Sequence, residues 1–131
     1  MLNKKYLIDL TREVLNHMES ECLRSDFTGW CEAASSIVSY ILSNYTDITE
    51  FYIASGTFDG NGHEWVVANG EIIDPTVDQF DDSYSIYSAR LYKELYCEEC
   101  IDYKPLMFDD WENYINELFC DTDRIALWIE E

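Results

Sequence analysis

Apolar residues recur at helical spacing along the first third of the chain. From Leu2 to Cys22 the stripe Leu7, Leu10, Val14, Met18 and Cys22 advances in steps of three and four, with Tyr6 and Leu15 on its flanks, which predicts an amphipathic helix. Ser25, Asp26, Thr28 and Gly29 break that period, and it resumes over Cys31 to Tyr45 as Ala33, Ala34, Ile37, Val38, Ile41 and Leu42. The second stripe is denser in apolar residues, as a more buried helix requires. The pattern then changes. Phe51 to Ser55 is aromatic and β-branched and stops at Gly56, as a strand would, and Asp59-Gly60-Asn61-Gly62 reads as a glycine-rich loop. His63 to Ala68 and Glu71 to Asp74 flank Asn69-Gly70, two residues that both tolerate positive φ, so a hairpin with a two-residue turn is expected there. Pro75 lacks the N–H that a central strand needs and closes the second arm. Beyond Phe80 the period weakens: Ser83 to Tyr96 fits helix or strand, Ile101 to Leu106 suggests a strand, and Asp109 to Phe119 a helix whose apolar face is Trp111, Tyr114, Leu118 and Phe119. Helices before and after a small antiparallel sheet make an α+β domain, expected to occupy residues 1–131 as one unit.

Composition narrows the function classes. At 131 residues with 47% apolar and 15% aromatic, the chain can build one core, and disorder is excluded. Eight Lys plus Arg against 27 Asp plus Glu give a formal charge of −19, so no broad basic face exists to neutralise phosphates, and direct nucleic-acid binding is not expected. Lys4, Lys5, Arg12 and Arg24 balance Asp9, Glu13, Glu19 and Glu21, so all of the excess lies beyond residue 24 and favours basic partners. No apolar run reaches membrane-spanning length, and the stretch Met1 to Leu10 is interrupted by Asp9, so a cytoplasmic protein is expected. Five cysteines leave at least one thiol unpaired in a monomer, in keeping with a reducing compartment.

The hairpin brings chemistry together. A two-residue turn sets Ala68 opposite Glu71, Val67 opposite Ile72, Val66 opposite Ile73 and Trp65 opposite Asp74. His63, Trp65 and Val67 then share a sheet face with Ile72 and Asp74, and His63 lies diagonally from Asp74 within side-chain reach. An imidazole held at one nitrogen by a carboxylate keeps a fixed tautomer and leaves the other nitrogen free to take a proton. Cys31, after Thr28-Gly29-Trp30, opens the second helix, where unsatisfied N–H groups and the helix dipole favour a thiolate and an oxyanion. It is the candidate nucleophile.

Gly29-Trp30-Cys31 at a helix start, His63-x-Trp65-Val66 on a strand and Asp74-Pro75-Thr76 at the end of a hairpin, in the order Cys, His, Asp, resemble the papain-like and transglutaminase-like cysteine-enzyme superfamily. The resemblance covers roughly residues 25–80, is to small bacterial or phage-type members, and extends to Gln79-Phe80, for which no catalytic role is assigned. It implies a papain-like or transglutaminase-like core, Cys31 as nucleophile, His63 as general base and acid, and Asp74 as the orienting carboxylate, with Trp30 and Trp65 flanking the site. No cofactor or metal is implied. The expected activity is acyl transfer through a thioester: peptide-bond hydrolysis, glutamine deamidation or transamidation, on a protein or peptide substrate of basic character. Papain-type enzymes place a glutamine shortly before the cysteine to complete the oxyanion hole, and Ser25 to Trp30 contains none, which brings the resemblance closer to the transglutaminase side.

Other features carry blander readings. Cys97-Glu98-Glu99-Cys100 has the spacing of half a zinc site or a redox pair, but no second pair of ligands accompanies it and the glutamates disfavour a thiolate. His17, beside Met18, reads as a boundary residue of the first helix. The acidic runs at 78–82, 98–99 and 109–112 read as solvated surface; their density also suits an acidic DNA mimic or inhibitor occupying a basic groove, and a third possibility is an inactive papain-like binding module.

Overall fold

The computed structural model describes residues 4–21 and 30–102. Helices α1 (Lys4–Glu21) and α2 (Trp30–Tyr45) precede strands β1 (Phe51–Phe58), β2 (Asn61–Ala68) and β3 (Glu71–Ile73); 3₁₀ turns at Val77–Gln79 and Ala89–Leu95 then lead into β4 (Tyr96–Asp102). The strands form one antiparallel sheet in the order β3-β2-β1-β4. The α+β architecture of N-terminal helices on a small antiparallel sheet is therefore as the hydrophobic pattern predicts.

Alternation along the strands divides the apolar residues between two faces. Leu7, Ile8, Leu10, Val14 and Leu15 of α1 and Ala34, Ile37, Val38, Ile41 and Leu42 of α2 pack with Val66 and Ala68 of β2 and Ile73 of β3. The other face carries Ala54, Trp65 and Val67, with Tyr52, Ile72 and Tyr96 against them. His63 belongs to this second face, stacked against Trp65 with centroids 5.8 Å apart.

The Asn69-Gly70 hairpin forms with the expected pairs, Ala68 with Glu71, Val67 with Ile72 and Val66 with Ile73. Both turn residues have positive φ, 51° and 79°. The ladder ends there: Trp65 and Asp74 do not pair, because Asp74 and Pro75 leave the sheet for the first 3₁₀ turn. Two expectations are corrected on the other side of β2. Asp59-Gly60 is itself a two-residue hairpin turn, with φ of 49° and 82°, and Asn61 and Gly62 are strand residues paired with Phe58 and Thr57. Gly56 does not end β1 but lies inside it, where β4 bulges between Ser55 and Gly56; a Cβ on Gly56 would sit 1.9 Å from the carbonyl oxygen of Cys97. The ambiguous stretch 83–96 resolves into turns and the 3₁₀ segment, and its last residue, Tyr96, opens β4. The expected strand beyond Asp102, the helix at 109–119 and the segment 22–29 lie outside the described residues. No helix among the described residues is long and apolar enough to cross a membrane.

Candidate functional site

Asp74 is the hub of a buried polar network. It is 1% exposed and His63 is 4% exposed, and the His63 Nε2 lies 2.7 Å from Asp74 Oδ2. The same oxygen accepts the Tyr96 hydroxyl proton at 2.7 Å, while Oδ1 accepts from both the backbone N–H and the hydroxyl of Thr76, each at 3.2 Å. Four donors thus satisfy one carboxylate, the condition for keeping it charged away from water. The turn is held from outside by Arg12 of α1, which donates to the Pro75 carbonyl at 3.0 Å and to the Asp78 carboxylate at 3.0 and 3.2 Å. Asp78, expected to be solvated surface, is therefore part of the support of this turn.

With Nε2 committed to Asp74, Nδ1 is the imidazole nitrogen that remains. The Cys31 side chain hydrogen-bonds the imidazole, and the Gln79 Nε2 lies 3.4 Å from Nδ1. Thr76 gives its one hydroxyl proton to Asp74, so it accepts from Gln79 Nε2 at 3.3 Å, which fixes the amide with its NH₂ toward the ring. Burial is the largest single influence on His63 and opposes its charge. Together, the hydrogen bonds to Asp74 and Cys31 and the charges of the same two residues outweigh it and raise His63 from 6.5 to about 9. The Tyr96 phenol is pushed well above its ordinary value by burial, by the Asp74 charge and by its hydrogen bond to Asp74, so it stays a donor.

Aromatic rings close over the network. Phe58 stacks on Phe80 at 4.9 Å and meets Tyr96 edge-on at 4.8 Å; Phe80 meets the His63 ring edge-on at 4.8 Å, and Tyr96 meets Trp65 at 4.9 Å. Trp65 is thus placed against His63. Its indole Nε1 is buried with no hydrogen-bond partner among the described residues. The backbone of Trp30 opens α2, and its side chain lies outside the described residues.

Cys31, His63 and Asp74 therefore converge: the half-buried Cys31 at the start of α2 and the buried Asp74 both act on the His63 ring. Sequence reasoning did not find Tyr96 or assign a role to Gln79. The signal for Gln79 was its place one 3₁₀ turn beyond Asp74-Pro75-Thr76; Tyr96 enters through β4, whose pairing with β1 leaves no local mark. Cys97 is exposed, and no group of three or more His, Cys, Asp or Glu among the described residues is placed to hold a metal ion. His17 is half-buried on α1. Comparison with family models, with curated proteins and with solved structures returns no match.

Proposed function

We propose that this chain is a cysteine-dependent acyl-transfer enzyme with a papain-like or transglutaminase-like core, using Cys31, His63 and Asp74. The observation that carries the reading is the line of contacts from the Cys31 thiol through His63 to the buried Asp74 carboxylate, with Nε2 to Oδ2 at 2.7 Å. In the first half-reaction the Cys31 proton passes to His63, Sγ attacks the substrate carbonyl carbon, and His63 returns the proton to the departing amine as the C–N bond breaks, leaving a thioester. In the second half-reaction, water or an acceptor amine gives its proton to His63 and attacks the thioester, and the C–S bond breaks to restore the thiol. Asp74 holds the ring and supports the imidazolium throughout. The negative charge of −19 favours a basic protein or peptide as substrate.

Alkylation by iodoacetamide near pH 7, read residue by residue by mass spectrometry, tests this. Cys31 reacts faster than Cys22, Cys97, Cys100 and Cys120, and His63→Ala slows Cys31 alone. Uniform labelling that is indifferent to His63→Ala would remove the catalytic reading.

A further inference from the structure

Positive charge is scarce in this chain, and what the fold does with it is selective. Of the described Lys and Arg side chains, Lys5 is paired with Asp9 at 2.7 Å and Arg12 with Asp78 at 3.0 Å. The remaining three, Lys4, Arg90 and Lys93, make no ion pair among the described residues, and all three line one cavity of about 390 Å³. Lys4 comes from the first turn of α1, and Arg90 and Lys93 from the 3₁₀ segment before β4; the floor is β3, with Glu71 and Ile72. Ser88 also faces the cavity, and its side chain makes no capping hydrogen bond to the segment it precedes.

Burial of Lys4 is the main influence lowering it from its ordinary 10.5; the charge of Glu71 opposes this, and the repulsion of Arg90 adds to it. Gathering like charges costs free energy, and 27 acidic residues against 8 basic ones were available to neutralise them. Three cations faced by the one carboxylate of Glu71 leave a surplus of two positive charges, the complement of a phosphoryl dianion. A guanidinium fork beside two ammonium groups suits its oxygens geometrically. The volume exceeds what a phosphate ion fills and falls in the range of roughly 300–1,000 Å³ typical of small-molecule sites, and Ile72 gives it an apolar wall.

We propose that this cavity binds the phosphoryl group of a small phosphate monoester, held by Lys4, Arg90 and Lys93. The site shares no residue with the Cys31, His63 and Asp74 network and stands independently of the activity proposed for it.

Titration calorimetry of the whole chain with inorganic phosphate, phenyl phosphate and benzoate tests the assignment at low ionic strength. Phenyl phosphate binds saturably and benzoate does not; phosphate binding as tightly as phenyl phosphate would assign the site to the free ion. Arg90→Gln and Lys93→Gln, both at exposed positions where the fold tolerates the change, each weaken binding about tenfold or more. Lys5→Gln removes the same unit charge and alters binding less than about twofold, because Lys5 is engaged by Asp9. Cys31→Ala leaves it unchanged. No saturable binding of either phosphoryl compound, benzoate binding equal to phenyl phosphate, or equal losses in Arg90→Gln and Lys5→Gln would each overturn the proposal.

Discussion

Replacing Asp74 by Asn changes one atom of the carboxylate and separates its electrostatic role from its shape. The two Thr76 contacts can keep the Asn carbonyl oxygen at the position of Oδ1, which places the NH₂ where Oδ2 received His63 and Tyr96. His63 Nε2 must then accept, so its proton moves to Nδ1, the nitrogen beside Gln79 and the one left to receive a proton from Cys31. Two of the four influences that raise His63 disappear, and burial, the largest, is opposed by Cys31 alone, so His63 falls well below about 9. A rise from 6.5 to about 9 corresponds to roughly 3 kcal/mol favouring the folded state when the imidazole is protonated. Since the folded value lies above the unfolded one, that contribution is complete below pH 6.5 and fades as pH rises toward about 9. Urea unfolding at pH 6 should therefore show Asp74→Asn less stable than the parent by roughly 4 kcal/mol, the sum of the His63 contribution and the Tyr96 contact. By pH 9.5 the gap should narrow to about 1 kcal/mol, the share of the Tyr96 contact. Because Nδ1 can no longer take the Cys31 proton, alkylation of Cys31 falls by roughly 10²–10⁴-fold at neutral pH. Asp47→Asn, at an exposed position, controls for the loss of one charge. The same stability gap at both pH values, together with His63 still titrating near 9 by NMR in Asp74→Asn, would refute this reasoning.

Two further substitutions probe the support of the network. Tyr96→Phe removes the competing donor on Asp74 Oδ2, so the carboxylate binds His63 more strongly; the His63 titration moves to higher pH by NMR, stability falls by about 1 kcal/mol, and a downward shift would contradict the role assigned to the phenol. Gly56→Ala drives a methyl into the Cys97 carbonyl at the bulge and destabilises the fold by roughly 1–3 kcal/mol or more in urea, with the His63 titration changing as β4 carries Tyr96 away; a variant as stable as the parent would show that the bulge is not as described.

The parts of this structure that were legible in the sequence are those specified by local rules. The stripes at Leu7, Leu10 and Val14 and at Ile37, Val38, Ile41 and Leu42 mark helix faces because helical geometry sets their spacing, and both faces are buried. Asn69-Gly70 sets the hairpin register because only residues tolerant of positive φ close a two-residue turn, and that register brings His63 near Asp74 even though Asp74 is outside the ladder. Asp59-Gly60 carries the same signal and was obscured by Asn61-Gly62, two poor strand residues that β1 nevertheless pairs. Contacts between distant segments left no such trace: the Arg12 to Asp78 pair spans 66 residues, and the β-bulge that requires Gly56 depends on β4. The hydroxyl of Tyr96 reaches Asp74 only because that strand joins β1, on the far side of the sheet from β3.

A histidine and an aspartate buried together can serve as a structural staple, so the pair by itself does not argue for chemistry. Buried ion pairs contribute little net stability, because desolvation consumes most of the attraction. What distinguishes this one is its asymmetry. On the Asp74 side every lone pair in use is matched by a donor from Thr76, Tyr96 or His63, and Phe58, Phe80 and Tyr96 close around the ring. On the Nδ1 side stand a half-buried thiol at the start of a helix and an exposed glutamine amide, both of which a staple would do without. The network is closed by donors and rings on the Asp74 side and meets a half-buried thiol and an exposed amide on the other, a division of labour that the proposed proton transfer would use. In the proposed reaction Gln79 is the group that would give way at Nδ1, since it reaches the Asp74 carboxylate only through Thr76 and its loss leaves the contacts of Asp74 intact.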